Sequence, residues 1–310
     1  MKKAIIYFYY YLLKFKNKLI YGGNTIVLMY HRISDVKLEN NQYLTISKAN
    51  FETQIKYFKR KYKILSFEES WKLPFYKTGI VFSFDDGYAN FYNNALPILK
   101  KHNIPALLFP VTSHLESKDY FWWDKLVLIY EELPDLYYLP NKEQLVNKKS
   151  YNYSILHDLI KNKKTDYIEK WLKKIMNLNN LSIKFDDEFR SLNISEIKKI
   201  SSSNLIKIGG HTHTHFRFSA TKKMEFISDV KKNTTILEKI TSKKIDIFAY
   251  PYGDHNQLID SELLMNQFNY LFLANDYYSN HFFKSKKIIS RILITDIIDN
   301  ELINRLRKFN

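Results

Sequence analysis

Two short polar clusters contain the residue types of a hydrolytic metal site. The first, at 83–87, has the sequence SFDDG, and the second, at 209–215, has the sequence GGHTHTH. Two imidazoles and one carboxylate bind a divalent cation such as zinc and leave a coordination position open for water, as catalytic sites do. The cation acidifies that water and polarises a carbonyl oxygen. The clusters therefore predict a metal-dependent hydrolase.

The adjacent carboxylates Asp85 and Asp86 suit two different roles in such a site. On an extended backbone, neighbouring side chains point to opposite sides, so one carboxylate can bind the metal while the other accepts the proton of the attacking water. The histidines at 211, 213 and 215 would all face one way on a strand. His213 could then be a ligand instead of His215, or the cluster could be a surface ladder.

Apolar runs lead into both clusters and predict the elements that position them. Residues 79–82 and 205–208 are typical of strands, which would deliver the polar side chains to a sheet edge. The pattern predicts a helix over 51–61, a second helix over 89–102 and a strand over 104–111. This βαβ order indicates parallel strands, and α/β enzymes keep their chemistry at the end of such a sheet.

Three motifs, in this order and at this wide spacing, resemble the polysaccharide deacetylases of carbohydrate esterase family 4, also called the NodB-homology domain. They are FDDG at 84–87, HTHTH at 211–215 and FAYPYG at 248–253. The resemblance covers roughly residues 24–115 and 203–295. It implies an α/β fold, a deformed (β/α) barrel of the polysaccharide deacetylase type.

The resemblance also implies a role for each matching residue. In that family the first Asp of the pair is the general base and the second is a metal ligand, which implies Asp85 and Asp86 respectively. The first and last His of the second motif, here His211 and His215, complete the metal ligands. The backbone N–H of Tyr252 would help hold the tetrahedral oxyanion, and such a preorganised donor contributes to catalysis.

Two departures from the family pattern concern the base and the acid. Many members have an Arg that braces the catalytic Asp where this chain has Ala249, so the partner of Asp85 is not identified from the sequence. The strand-like run at 288–294 contains no His to protonate the leaving amine, and His281 follows no strand-like run. An apolar strand at the other end of the chain ends in His31.

His31 is therefore the candidate general acid. Some branches of the family look circularly rearranged in this way, with the His strand before the first motif. A barrel makes the transposition easy, because an edge strand fills the same gap whichever terminus supplies it. An isolated Tyr-His-Arg sequence such as 30–32 would otherwise be an interface or capping element.

The substrate cleft is expected to include Pro251 and Tyr252 of the third motif together with Trp123 and Asp124. The last two belong to the sequence FWWDKL at 121–126, and related deacetylases contain a similar aromatic-Asp element. The alternative is that the tryptophans are buried anchors of a helix. They open a Lys- and Leu-rich stretch with no strand pattern, which we interpret as a helical insertion at about 120–201.

These assignments predict a metal-dependent hydrolase that removes N-acetyl groups from an amino sugar of a glycan or glycan precursor. The metal is expected to be zinc, with other divalent transition metals as alternatives. Two other functions stay open. The chain could be a non-catalytic glycan-binding barrel, or it could hydrolyse another ester or amide bond, as an O-acetyl esterase does.

The composition and charge of the chain limit the metal ligands and the partners that it can have. The 310 residues are 45% hydrophobic, enough for one large domain, and contain no Cys, so metal ligands must be N or O. There are 48 Lys and Arg against 32 Asp and Glu, a formal charge of +16. The basic runs are short and scattered, which favours solvated helix faces, and no nucleic-acid-binding signature is present. We expect no nucleic-acid partner.

The N-terminal residues 1–23 are expected to form a basic amphipathic helix that precedes a catalytic domain at 24–310. The apolar run at 4–13 is too short to span a bilayer, and no small-residue cleavage site follows it. Residues 1–20 are expected to associate peripherally with the inner membrane surface, which implies a cytoplasmic location. A helix packed on the domain is the alternative.

Overall fold

The computed structural model describes Phe8, Leu12 and residues 24–307, apart from 71, 74–76, 118, 184–186, 275–286 and 299. Except for Phe8 and Leu12, the expected N-terminal helix lies outside the described residues, and so does His281. The strands are β1 (Asn24–Tyr30), β2 (Arg32–Ile33), β3 (Thr45–Ile46), β4 (Lys63–Ile64), β5 (Thr78–Asp86), β6 (Ala106–Pro110), β7 (Leu136–Tyr138), β8 (Leu145–Asn147), β9 (Ile206–Ile208), β10 (Ile247–Ala249), β11 (Tyr270–Leu273), β12 (Ile288–Ser290) and β13 (Ile292–Leu293). The α-helices are α1 (Lys48–Lys61), α2 (Phe67–Ser70), α3 (Leu96–His102), α4 (Trp122–Glu132), α5 (Tyr153–Ile160), α6 (Thr165–Leu178), α7 (Ile194–Ser201), α8 (Lys223–Thr241), α9 (Gln257–Asn266) and α10 (Asn300–Arg307).

Eight strands of the two main sheets form a ring of parallel pairs. One sheet has the order β13-β1-β5-β6-β9, and a second has the order β10-β11-β12. A parallel bridge between Gly210 and Phe248 joins the end of β9 to β10. On the other side, β12 and β13 are consecutive and separated by Arg291 alone. The chain therefore closes as the deformed (β/α) barrel that the sequence predicts.

Two apolar clusters occupy the two faces of this barrel wall. The inner cluster consists almost wholly of strand residues, including Val27, Val81, Phe109 and Ile289. The outer cluster joins the alternate strand positions to the surrounding helices. Strands buried on both faces have near-continuous apolar sequences, which explains why the strand β5 is recognisable from its sequence.

The period of two along each strand brings polar side chains to the inner face at one end of the barrel. Asp85 is four residues after Val81, and His31 is four residues after Val27. Arg291 is two residues after Ile289. Since parallel strands end at the same edge, these three side chains share one end of the barrel interior.

The region at about 120–201 differs in one respect from the expected all-helical insertion. It contains helices α4 to α7, but β7 and β8 form an antiparallel hairpin, with Tyr137 paired to Val146. These two side chains are buried in a separate core with Trp122, Trp123 and other residues of the insertion. The strands are three residues long, too short to show a reliable alternation in sequence.

The helix predicted at 89–102 is divided. Residues Phe91–Ala95 form a turn of π-helix, and the α-helix begins at Leu96, next to Pro97. Proline has no N–H to donate to the preceding turn, so the regular helix starts there. Within the described part of the chain, no helix is both long enough and apolar enough to cross a bilayer.

Candidate active site

Three side chains from the first two motifs converge at the end of the barrel. The Oδ1 atom of Asp86 lies 3.4 Å from Nε2 of His211 and 3.3 Å from Nε2 of His215. These three donor atoms all lie within 4.8 Å of one another. Two imidazoles and a carboxylate, converging in this way, fit a catalytic divalent metal with a further coordination position left for water.

Unusual backbone angles direct these ligands. Asp86, Thr212 and His215 have φ values of 65°, 66° and 59°, in a region that residues with side chains seldom occupy. Such conformations occur where the surrounding structure enforces them, often at active sites. Gly87 follows with φ 81°, and an added Cβ there would lie 2.6 Å from Pro110 Cβ. The turn after β5 therefore requires glycine.

His211 is fixed by two hydrogen bonds. Its Nδ1 lies 2.8 Å from the carbonyl oxygen of Ala249, which can only accept, so Nδ1 carries the proton and Nε2 is free to bind a metal. Its backbone N–H donates to Oδ1 of Asn233. The Asn233 amide in turn donates to the carbonyls of Pro110 and Thr212, which ties the second motif to the end of β6.

His213 lies apart from the ligand cluster. Residues 211–217 form a loop in place of a strand, so the three histidines do not share a face. The His213 Nδ1 contacts Oγ1 of Thr112 at 2.9 Å, and the ring lines a separate cavity of about 470 Å³. The Asp229 carboxylate accepts from the N–H groups of His213 and Thr214 and holds this loop. The structure places His215 beside Asp86.

Asp85 is held by Arg291 through both carboxylate oxygens. The guanidinium donates to Oδ1 at 2.5 Å and to Oδ2 at 2.7 Å, and both residues are buried. Burial alone raises the pKa of Asp85, but the opposing attraction of Arg291 and His211 is larger, and the pKa lies below its ordinary value. Asp85 is therefore ionised at neutral pH, as a proton acceptor must be.

Arg291 is the partner of Asp85 that the sequence analysis did not find. The guanidinium also stacks over Phe109 and Phe272 of the inner cluster. A lone Arg in an apolar strand was a usable signal, because a buried cation requires a partner. Ala249, at the position where many family members have the bracing Arg, has a small side chain that faces the same interior. The positive charge beside Asp85 comes instead from Arg291, between β12 and β13.

His31 is half-buried and follows β1 directly. Tyr30 pairs in register with Phe84, so His31 is next to Asp85 across the two strands. Burial lowers the pKa of His31, against the opposing influence of Asp86 and Asp85. Its Nδ1 atom is buried and has no hydrogen-bond partner among the described residues. The transposed strand thus brings this His to the end of the barrel, beside the Asp pair.

The third motif forms a tight turn beside the metal ligands. Tyr252 has φ 58°, and its ring centroid lies 4.7 Å from that of His215. Pro251 is buried beneath the turn, and a Cβ added to Gly253 would lie 2.7 Å from the backbone N of Ala274. The turn therefore places Tyr252 beside the metal ligand His215.

Trp123 contacts a candidate metal ligand, whereas Asp124 contacts Arg32 and Tyr88. The Trp123 ring centroid lies 4.6 Å from that of His215. The side chain of Asp124 has no exposed surface; it accepts from NH1 of Arg32 at 2.6 Å and from the hydroxyl of Tyr88 at 2.6 Å. Direct contact with a substrate, as expected from the sequence, does not fit this burial. Asp124 instead holds Tyr88 and Arg32, two residues that the sequence analysis did not assign.

Comparison with known proteins agrees with this geometry. Residues 73–271 match the family model of the polysaccharide deacetylases. The chain is 27% identical to the poly-beta-1,6-N-acetyl-D-glucosamine N-deacetylase of Staphylococcus aureus (strain MSSA476) over 319 residues, which cover 94% of this chain and 87% of that protein. It is 26% identical to the enzyme of the same name from Staphylococcus epidermidis over 171 residues, 49% of this chain and 56% of that protein.

Solved structures share the fold. IcaB from Ammonifex degensii superposes with a TM-score of 0.60 at 18% identity, over 93% of this chain and 97% of that one. A de-N-acetylase from Aggregatibacter actinomycetemcomitans superposes with a TM-score of 0.58 at 20% identity, over 91% of this chain and 98% of that one. At these identities the likeness establishes the barrel architecture.

The matched segment includes the Asp pair, the histidine loop and the third motif, whereas His31 and Arg291 lie outside it. The family model therefore spans more than half of the chain and contains the whole candidate metal site. Of the other two residues, His31 follows β1 and Arg291 lies between β12 and β13. This chain belongs to the polysaccharide deacetylase family and is a metal-dependent hydrolase of N-acetylated glycans.

Proposed function

We propose that this protein is a zinc-dependent N-deacetylase of poly-β-1,6-N-acetyl-D-glucosamine. The substrate is that of the curated relatives, which align with 94% of this chain. The observation that supports catalysis most directly is the Asp85–Arg291 pair beside the candidate metal ligands Asp86, His211 and His215. A barrel that only bound glycans would not need a buried, ionised carboxylate next to a metal site.

Each residue has a role that its position permits. Asp86, His211 and His215 would hold a divalent cation, which, when bound, would acidify a water molecule and polarise the acetamide carbonyl. Asp85 accepts the proton of the attacking water, since its pKa is lowered and both of its oxygens are oriented by Arg291.

Two further groups act on the reacting amide. The backbone N–H of Tyr252 donates to the oxygen that becomes negatively charged in the tetrahedral intermediate. His31 protonates the departing amine, so acetate and a free amino sugar are released. His31 suits this role because its ring is half-buried and lies next to Asp85.

Zinc is the metal that best suits the donor set. Imidazole nitrogen together with a carboxylate oxygen is typical of catalytic zinc sites, while an all-oxygen set would favour magnesium or calcium. The chain contains no Cys, so a thiolate site is excluded. Other divalent transition metals that favour imidazole are the alternatives to be tested.

The surroundings of the site suit a sugar polymer. Tyr252 is half-buried beside the metal ligand His215, and Tyr43 is more than half exposed. The Arg217 guanidinium stacks over the Tyr252 ring at 4.0 Å. Aromatic rings pack against the apolar faces of pyranose sugars, and Arg donates to their oxygens.

The test is acetate release by the purified protein. We expect release from acetylated β-1,6-linked glucosamine oligomers after the protein has been stripped of metal and reloaded with zinc, and none from the Asp85→Asn variant. Asp135→Asn is the matched control, because Asp135 is exposed and lies in the insertion. Release from β-1,4-linked oligomers alone would show that the substrate has β-1,4 linkages and not the proposed β-1,6 linkages. Release from O-acetylated sugars alone would establish the esterase alternative.

The cellular location stays a prediction. The expected amphipathic helix at 1–23 lies almost wholly outside the described residues, so peripheral membrane association through residues 1–20 and a cytoplasmic position rest on the sequence pattern. The scattered charge likewise supports the absence of a nucleic-acid partner. Binding to anionic vesicles, compared between the full chain and a variant with Lys14, Lys16 and Lys18 changed to Gln, tests the membrane prediction.

A further inference from the structure

The two metal-ligating histidines are held in different ways. His211 donates from Nδ1 to the carbonyl of Ala249. The Nδ1 atom of His215 is buried and has no hydrogen-bond partner among the described residues. Metal-ligating histidines almost always donate their second ring N–H to an acceptor, which fixes the ring orientation. The contacts of His215 with the described residues, apart from Asp86, are therefore those of its ring.

Two aromatic rings contact His215. The Trp123 ring centroid lies 4.6 Å from that of His215, with an interplanar angle of 50°, and the Tyr252 centroid lies at 4.7 Å with an angle of 58°. His215 and Trp123 are both buried. Because close-packed side chains cannot rotate without displacing their neighbours, these contacts restrict the imidazole to one orientation.

Both flanking rings are themselves fixed. The indole Nε1–H of Trp123 donates to the Tyr88 hydroxyl at 2.7 Å, and that hydroxyl donates to Asp124. The hydroxyl of Tyr88 thus satisfies two buried polar groups at once. On the other side of the site, the Arg217 guanidinium lies over the Tyr252 ring. The Trp123 ring is therefore fixed by a hydrogen bond, and the Tyr252 ring is held between His215 and a guanidinium.

We infer that Trp123 and Tyr252 form an aromatic clamp that orients His215 for metal binding, and that Tyr88 positions Trp123 within this clamp. Trp123 and Tyr88 are therefore positioning residues for the metal. The inference rests on the metal-dependent function but not on which glycan is the substrate.

Trp122 provides a matched control for the clamp. It is the neighbouring residue on the same helix and is as buried as Trp123. Its ring stacks on His157, with centroids 5.3 Å apart, and meets the Trp123 ring edge-on at 5.6 Å, but it has no ring contact with a metal ligand. Replacing either tryptophan by leucine removes a large buried ring from the same core. Only the change at Trp123 removes a contact with His215.

The measurement is zinc affinity, determined by competition with a chromophoric chelator, on full-length protein whose fold is checked by circular dichroism. Loss of an outer-shell partner typically weakens metal binding by about 10- to 100-fold. We expect Trp123→Leu to weaken zinc binding by about tenfold, at the lower end of that range. Trp122→Leu should bind zinc as the wild type does.

Two results would overturn the clamp. One is a Trp123→Leu affinity equal to that of the wild type, and the other is an equal loss in Trp122→Leu, which would indicate a general effect of core disruption. If the leucine variants do not fold, Trp123→Met and Trp122→Met decide in the same way, since methionine fills an irregular core space but has no ring to pack against His215.

Tyr88→Phe tests the second part of the inference. It keeps the ring of residue 88 but removes the hydroxyl between Trp123 and Asp124. Weaker zinc binding than the wild type supports positioning through Tyr88, and unchanged binding removes Tyr88 from the inference. Because affinity is measured without substrate, a failure to deacetylate the proposed glycan leaves these results interpretable.

Discussion

Arg291 donates to both carboxylate oxygens of Asp85 across a separation of 206 residues. The pair forms because β13 pairs with β1 and β1 pairs with β5, so the last strand of the barrel comes close to the first motif. Both side chains are buried, and such a charge pair is kept only where its geometry is well satisfied. The bidentate arrangement leaves the carboxylate little freedom to turn toward the metal ligands.

Arg291→Lys should therefore reduce catalysis. Lysine keeps a positive charge but cannot donate to both oxygens at once, so we expect kcat/KM for acetate release to fall by about 10- to 100-fold, below the full effect of removing a general base. The pKa of Asp85 should rise as the two-point contact is lost, so the acid limb of the pH profile should move to higher pH. Steady-state kinetics between about pH 5 and pH 9 measure both effects.

Arg190→Lys is the control for that experiment. Arg190 also forms a two-point ion pair, with Glu196 at the start of α7, and its side chain has no hydrogen bond to Asp85 or to a candidate metal ligand. We expect its kcat/KM and its acid limb to match those of the wild type. If the acid limb moved equally in both lysine variants, the specific role of Arg291 would be wrong.

His31→Ala should lose activity on the glycan far more than on an activated ester. A general acid is needed only when the leaving group is a poor one, as an amine is, so we expect deacetylation of the glycan to fall by about 10²- to 10⁴-fold. Hydrolysis of an activated aryl acetate, whose leaving group needs no proton, should fall far less. The ratio of the two rates is the measurement.

His102→Ala is the matched histidine control, because His102 pairs with Glu52 outside the barrel end. It should leave both rates unchanged. An equal loss on the glycan and on the aryl ester in His31→Ala would contradict the general-acid role and would point to a structural effect on the site.

Replacing His215 and His213 separately tests the ligand assignment. His215→Ala removes one of three donor atoms and should abolish stoichiometric zinc binding at micromolar metal, together with acetate release. His213→Ala removes a ring that contacts Thr112, so zinc content should stay near that of the wild type. Metal analysis after dialysis distinguishes the two variants. Zinc loss from His213→Ala alone would reverse the assignment.

The sequence predicted the local parts of this site well. The strands before FDDG and HTHTH are buried on both faces, so their apolar runs are visible without knowledge of the fold. The ligand set Asp86, His211 and His215, implied by the family resemblance, comes together in the structure. The transposed strand ending in His31 also occupies the predicted position beside the first motif.

The parts that could not be predicted depend on long-range packing or on unusual backbone angles. Arg291 is recognisable as a partner of Asp85 only once the ring of strands is closed. The choice between His213 and His215 depends on positive φ at Thr212 and His215. Threonine is β-branched and seldom adopts a positive φ, so the local sequence does not predict this turn.

The last prediction concerns stability and pH. His114 lies in the loop after β6, packs against Phe121, and has a pKa lowered from 6.5 to about 4 by burial. Between these two values the unfolded chain binds a proton that the folded chain does not, so the free energy of unfolding should fall as the pH falls through that window. The difference corresponds to at most about 3 kcal/mol, and less where solvent reaches the ring.

His114→Phe keeps an aromatic ring against Phe121 but cannot be protonated. Urea unfolding of metal-free protein at about pH 7.5 and about pH 4.5 should show that the wild type loses more stability on acidification than the variant does, because only in the wild type does the unfolded chain bind a proton at residue 114 that the folded chain largely excludes. Equal losses would mean that His114 is solvated enough to titrate normally. The variant's stability at the higher pH, where the wild-type ring is neutral, separates the packing effect of the substitution from the proton linkage.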